Sequence, residues 1–113
     1  MEGLEMICFQ IISNVGSARS SYVEAIQKAK SGDFEGAEIL MNEGEREFLQ
    51  GYTAHSELIQ KEAAGVPVAN SLILVHAENL VMSAEEFRVI AAELIDSYKR
   101  IVKLEQLSEQ QTV

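Results

Sequence analysis

Cysteine occurs once in this chain, as Cys8, proline once, as Pro67, and tryptophan not at all. A lone cysteine cannot form a disulfide within the chain. A disulfide-stapled secreted scaffold is therefore excluded, and a reducing cytosol is the expected home. Positive charge is also scarce: nine Lys and Arg stand against eighteen Asp and Glu, a net charge of −9. So acidic a surface repels phosphate backbones and anionic lipid headgroups, which argues against nucleic-acid binding and against docking on membranes. It suits a partner protein with a basic face. Long apolar runs are missing as well. Stretches such as Leu72 to Val75 are far too short to span a bilayer, so direct membrane insertion is not expected. The opening Met1-Glu2-Gly3-Leu4-Glu5 lacks the basic n-region of a signal peptide, and the expected localisation is cytoplasmic.

What remains is a helix-forming composition. Hydrophobic residues make up 47% and charged residues 24% of 113 residues, about one domain's worth of chain. Glu, Ala, Leu and Ile are abundant, and these are fair to good helix formers. Two breaks divide the chain. Ser31-Gly32-Asp33 combines a helix-ending glycine with an aspartate able to cap the next helix. Gly65-Val66-Pro67 closes a second helix and prevents its continuation. Helices are expected at about 2–31, 33–64 and 69–105, within a single domain over 1–113 that ends in a polar tail from Ser108. Apolar residues recur in helical steps in all three segments. The first stripe is Leu4, Ile7, Ile11, Val15, Ala18, Tyr22, Ala25 and Ala29. The second is Phe34, Ala37, Met41, Phe48, Tyr52, Leu58 and Ile59. The third is Leu72, Val75 (with His76), Asn79, Met82, Glu86 (with Phe87), Ile90, Leu94, Tyr98 and Ile101. The fold class is all-α, an antiparallel up-down-up three-helix bundle. The third segment is apolar on more than one side, with Leu72, Ile73, Leu74, Val75, Leu80, Val81 and Met82 close together. One protomer cannot cover such a helix, so self-association is expected.

Chemistry-bearing residues are few. His76 interrupts the run Ser71-Leu72-Ile73-Leu74-Val75 and is followed by Ala77, Glu78 and Asn79. On residue type alone, a core histidine with satisfied ring nitrogens is the plainer reading. The sharper one is a nucleophile: a neutral imidazole carries a lone pair near pH 7 and forms a labile phosphoramidate, and an apolar surround would hold it neutral. Zinc is not supported. His76 and Glu78 are two residues apart and point to different sides of a helix, His55 lies on another helix, and no HExxH or CxxC pattern occurs. His55 reads as structural or surface, Cys8 as a buried inert thiol, and Glu43, Glu45 and Glu47 as a solvated face. Neither a GxxxxGK[ST] nor a GxGxxG loop is present. Asn79, three residues from His76, is either exposed or part of a buried polar layer of the kind that fixes register between helices.

Three segments, NVGSARSSYVEAIQKAKSGDFEGAEILM (14–41), AHSELIQKEAAG (54–65) and SLILVHAENLVM (71–82), resemble the lactose/cellobiose-type IIA component of the bacterial sugar phosphotransferase system. The resemblance runs from about Leu4 to Lys103, and Leu74-Val75-His76-Ala77 is its most specific piece. It implies a three-helix up-down-up bundle assembled as a homotrimer, with active-site clefts near subunit boundaries. It implies a phosphotransferase in which His76, through Nε2, takes phosphate from the histidine-containing phosphocarrier protein and passes it to a cysteine of a cognate IIB component. The sugar itself meets IIB and the membrane IIC component, so lactose, cellobiose and chitobiose systems are all compatible with this chain.

The motif departs from the family in three places. The family usually reads His-Ala-Gln-Asp-His-Leu-Met where this chain has His76-Ala77-Glu78-Asn79-Leu80-Val81-Met82. The family aspartate implies a divalent metal shared on the trimer axis. With Asn79 in its place, no metal and no other cofactor is expected. Glu78 stands where a glutamine lies near the phosphoryl group. There a carboxylate would raise the pKa of His76 and repel phosphate. Leu80 replaces a histidine and adds packing. The alternative expectation is a divergent interaction or regulatory protein that kept the bundle and lost phosphoryl transfer.

Overall fold

The computed structural model describes residues 2–111. Three helices account for nearly all of them: α1 Glu2–Lys30, α2 Phe34–Ala63 and α3 Leu72–Gln111. They alternate in direction and form a rod of 69 × 20 × 19 Å. α1 packs extensively on both other helices, and α2 and α3 meet far less.

Each break is built from local chemistry. Gly32 and Gly65 adopt φ of 87° and 86°, a left-handed conformation that costs a glycine nothing. In both turns the glycine N–H bonds back to the carbonyl three residues earlier, and the next N–H bonds to the one five residues earlier. These bonds are Gly32 to Ala29 and Asp33 to Lys28 at the first turn, then Gly65 to Glu62 and Val66 to Lys61 at the second. They satisfy carbonyls that the end of a helix otherwise leaves open. Asp33 then caps α2, its Oδ1 accepting from the Gly36 N–H at 2.9 Å. Ser71 caps α3, its Oγ accepting from the Leu74 N–H at 3.2 Å.

The third helix differs from expectation at both ends. It begins at Leu72 rather than Ala69, because Pro67 holds the chain out of helix and Ser71 supplies the first workable cap. It runs on to Gln111, so the expected polar tail from Ser108 is helical as far as the described residues go; Thr112 and Val113 lie outside them. Glu and Gln propagate a helix well, and no glycine or proline stops it there.

The α1 stripe is the centre of the core. Cys8, Ile11, Val15, Ala18, Tyr22, Ala25 and Ala29 are fully buried. From α2 come Ala37, Phe48 and Leu58, whereas Tyr52 and Ile59, expected on the same face, are about half exposed. Gly44 and Gly51 take the intervening inward positions, where side chains would collide with Tyr22 and Val15.

The α3 stripe is the main correction. Leu72, Val75, Asn79, Met82, Glu86, Ile90, Leu94 and Ile101 face away from the bundle. The buried residues of α3 are instead Leu74, Ala77, Val81, Ala84 and Ala91. Ala77, Ala84 and Ala91 recur every seven residues, and their small side chains let α3 approach α1 closely. α3 is apolar on two sides, and the side lined with alanine is the one that fits against α1.

Candidate functional site

The candidate residues lie within two turns of the α3 N-terminus. His76 is exposed, not a core histidine, and the apolar surround expected to shield it is not formed within the protomer. The turn just before it is anchored by the Ser71 cap and by Leu74, which is buried in the core. Leu80 and Ser83 follow His76 at four and seven residues and so share its flank. That flank meets α1. A Cβ at Gly16 would lie 3.9 Å from Leu80 Cδ2, and Arg19 Nε donates to Ser83 Oγ at 3.0 Å. The Arg19 guanidinium also covers the Phe87 ring, 4.6 Å from its centroid. A cation thus sits on the imidazole's flank, about 10 Å along the helix axis from it. Arg19 carried no motif; only the parallel register of α1 and α3, in which Gly16 meets Leu80 and Arg19 meets Ser83, brings it there. Leu80 is half-buried and adds packing, in line with the sequence reading.

Glu78 is exposed and about 200° round the helix from His76, on nearly the opposite flank. The protomer therefore does not bring its carboxylate to the imidazole. The charge of Glu78 is felt elsewhere. The Cys8 thiol is pushed up from its ordinary value by burial first, then by the nearby negative charges of Glu78 and Glu5. A buried thiol with a raised pKa is a poor nucleophile, in keeping with an inert Cys8.

Deeper in the bundle, the Tyr22 hydroxyl and Arg88 Nε are buried with no hydrogen-bond partner among the described residues. Burial pushes the Tyr22 phenol up to about 12 despite the nearby Arg88 cation. Glu47, expected to be solvated, is half-buried and accepts a 2.8 Å hydrogen bond from Ser21 Oγ. His55 is half-buried on α2.

Asn79 is exposed on the outer α3 face, between Val75 and Met82. The divalent cation implied by the resemblance does not suit these donors. An amide and a thioether are neutral, whereas magnesium and calcium favour anionic oxygen. The next carboxylate along the stripe is Glu86, about 10 Å further along the axis. Among the described residues, no group of three or more His, Cys, Asp or Glu could hold a metal ion. Likewise, no helix there is long and apolar enough to cross a membrane.

The sequence of residues 6–99 matches the family model described as "PTS system, Lactose/Cellobiose specific IIA subunit". The chain is 40% identical over 102 residues to the lichenan-specific phosphotransferase enzyme IIA component of Bacillus subtilis (strain 168), a match covering 90% of this chain and 93% of that protein. It is 31% identical over 99 residues to the lactose-specific EIIA component of Staphylococcus aureus (strain N315), covering 88% of this chain and 96% of that one. Among solved structures, the cellobiose-specific enzyme IIA of Bacillus anthracis superposes with a TM-score of 0.85 at 38% identity, covering 87% of this chain and 90% of the other. An exposed α3 imidazole, an up-down-up bundle and matches along most of the chain agree: this protein belongs to the lactose/cellobiose-specific IIA family of the sugar phosphotransferase system.

Proposed function

We propose that the chain is a phosphocarrier in sugar uptake, with His76 as the transient phosphohistidine. The observation that carries this reading is the exposure of the imidazole on α3, in the one segment, Leu74-Val75-His76-Ala77, where the resemblance is most specific. A buried histidine could not meet two successive macromolecular partners; this one is open to both. The donor is the histidine-containing phosphocarrier protein, and the acceptor is a cognate IIB component. The expected setting is the cytoplasm.

The chemistry needs little from the carrier beyond position. The lone pair on Nε2 of neutral His76 attacks the phosphorus of the donor's phosphohistidine. A P–N bond forms as the donor's P–N bond breaks, and the donor imidazole leaves with the electron pair. In the second step a IIB thiolate attacks phosphorus, an S–P bond forms, and His76 leaves as imidazole. Transfer of this kind rests on alignment and on the electrostatics around the equatorial oxygens. With Glu78 on the far flank, no carboxylate from this part of α3 opposes the incoming phosphoryl group within the protomer.

Intact-protein mass spectrometry at neutral to alkaline pH tests the reading. The chain is incubated with phosphoenolpyruvate, the general phosphotransferase enzyme and the phosphocarrier protein. One acid-labile phosphoryl group should appear and be absent from His76→Ala and His76→Gln. No gain with competent partners would instead mark a protein that kept the bundle and gave up the transfer.

A further inference from the structure

The outer face of α3 is the largest feature that one protomer leaves unexplained. Taken in steps of three and four, it reads Leu72, Val75, Asn79, Met82, Glu86, Ile90, Leu94, Ser97, Ile101 and Leu104. Leu72 is 87% exposed, Met82 59% and Leu104 64%. A groove of about 490 Å³ opens on this face beside Met82, Glu86 and Ile90. The stripe is about 48 Å long at the helical rise. At one helix width, roughly 10 Å, it presents on the order of 480 Å², the size of the largest patch on a typical soluble protein, which is often an interaction surface. Two copies covering it would bury about 1,000 Å², the size at which a specific interface begins. The stripe is apolar through most of its length, so a second copy offers a surface of matching length and character. That makes another protomer its occupant.

Near its N-terminal end this face carries an amide at Asn79, where an assembly built around a shared cation would need a carboxylate. Carboxylates gathered at one point repel and require a counter-ion, whereas amides donate and accept hydrogen bonds among themselves and require none. We propose that this chain self-associates through the α3 stripe without a divalent cation, an Asn79 amide layer taking the place of a carboxylate–cation layer. The inference rests on the family reading of a trimeric IIA component and concerns what holds that assembly together. Independence from metal follows from the neutrality of Asn79 and of its neighbours on the stripe, Val75 and Met82; the exposed Glu78 lies about 100° round the helix, off the stripe. The nearest carboxylate on the stripe, Glu86, lies two turns away.

The test is native mass spectrometry and sedimentation velocity of the full chain, in EDTA and in magnesium or manganese chloride. The expected result is one assembly mass, free of bound metal, with a dissociation constant that changes less than twofold between conditions. Asn79→Asp should make assembly cation-dependent, weakened at least tenfold in EDTA and restored by magnesium. Dissociation of the unsubstituted chain in EDTA, or a metal ion retained in its assembly, would overturn the proposal. So would an Asn79→Asp assembly indifferent to EDTA, which would place residue 79 away from the contact. A monomer under every condition would overturn the assembly itself, while leaving phosphorylation of His76 to be judged by its own assay.

Discussion

A close approach of α1 and α2 supplies a prediction whose magnitude follows from the geometry. A Cβ added at Gly51 would lie 2.5 Å from Val15 Cγ1 and 3.4 Å from the Ile11 carbonyl oxygen. Replacing glycine by alanine inside a helix ordinarily gains about 1 kcal/mol. Here the collision opposes that gain. Val15 is fully buried, and its branched side chain has essentially one χ1 well in a helix, so the methyl cannot swing away. Overpacking of this kind costs about 1–3 kcal/mol, which leaves Gly51→Ala less stable by about 1 kcal/mol net. In a chain of this size that lowers the melting temperature by about 3–5 °C. Urea and thermal unfolding should be followed at one fixed chain concentration, because association makes the midpoint concentration-dependent. Gly3→Ala is the control: nothing lies within 4 Å of its Cβ, so it should gain about 0.5 kcal/mol. Val15→Ala alone should cost about 2–3 kcal/mol. Combined with Gly51→Ala it should cost less than the sum of the two by about 1–2 kcal/mol, since the new methyl fills the space vacated. A Gly51→Ala chain stabilised by the full helix-propensity gain, with no coupling to Val15, would refute the close approach.

The other predictions concern two polar groups, Tyr22 and Asp33. Tyr22→Phe should stabilise the fold by about 1 kcal/mol, because it removes a buried hydroxyl that finds no partner among the described residues; a clear loss of stability in urea would show that the hydroxyl is satisfied. The folded-state pKa of Tyr22 is about 12 against an ordinary 10.0, so the unfolded chain releases this proton first as pH rises. The contribution of Tyr22 to stability should be intact below pH 10 and fall between 10 and 12, and Tyr22→Phe should flatten that fall. Asp33→Ala should cost about 1 kcal/mol by leaving the Gly36 N–H uncapped, read as a lower midpoint of urea unfolding followed by circular dichroism. Its ion pair with Lys28 is long, at 4.0 Å, and exposed. A charge-preserving Asp33→Glu that restored full stability would therefore point away from capping.

Much of the molecule was legible in residue order alone. Gly32-Asp33 and Gly65-Val66-Pro67 stop helices by backbone chemistry that needs no tertiary partner, so the three-helix division and both turns could be located to within a few residues. The α1 stripe was equally readable, since α1 has one apolar face and that face is buried by both neighbours. The α2 face was legible only in part. Gly44 and Gly51 carry no hydrophobic signal, yet they mark its inward positions, and Tyr52 and Ile59 fell outside it.

The sequence by itself determined the helix count, the position of the histidine and the neutral character of residue 79, because each depends on local chemistry or on the identity of one side chain. Only the tertiary structure decided which side of α3 packs inward. Periodicity finds two apolar faces on that helix and cannot rank them; the close fit of Ala77, Ala84 and Ala91 ranks them. That choice turns Leu72, Val75, Asn79 and Met82 outward, leaves His76 open at the edge of the stripe, and sends Glu78 to the opposite flank. It also brings Arg19 against Ser83 and Phe87, a contact between residues more than sixty positions apart that no local pattern encodes. Identity and order set what each helix is able to bury, and packing of one helix against another selects which of those surfaces remains for a partner.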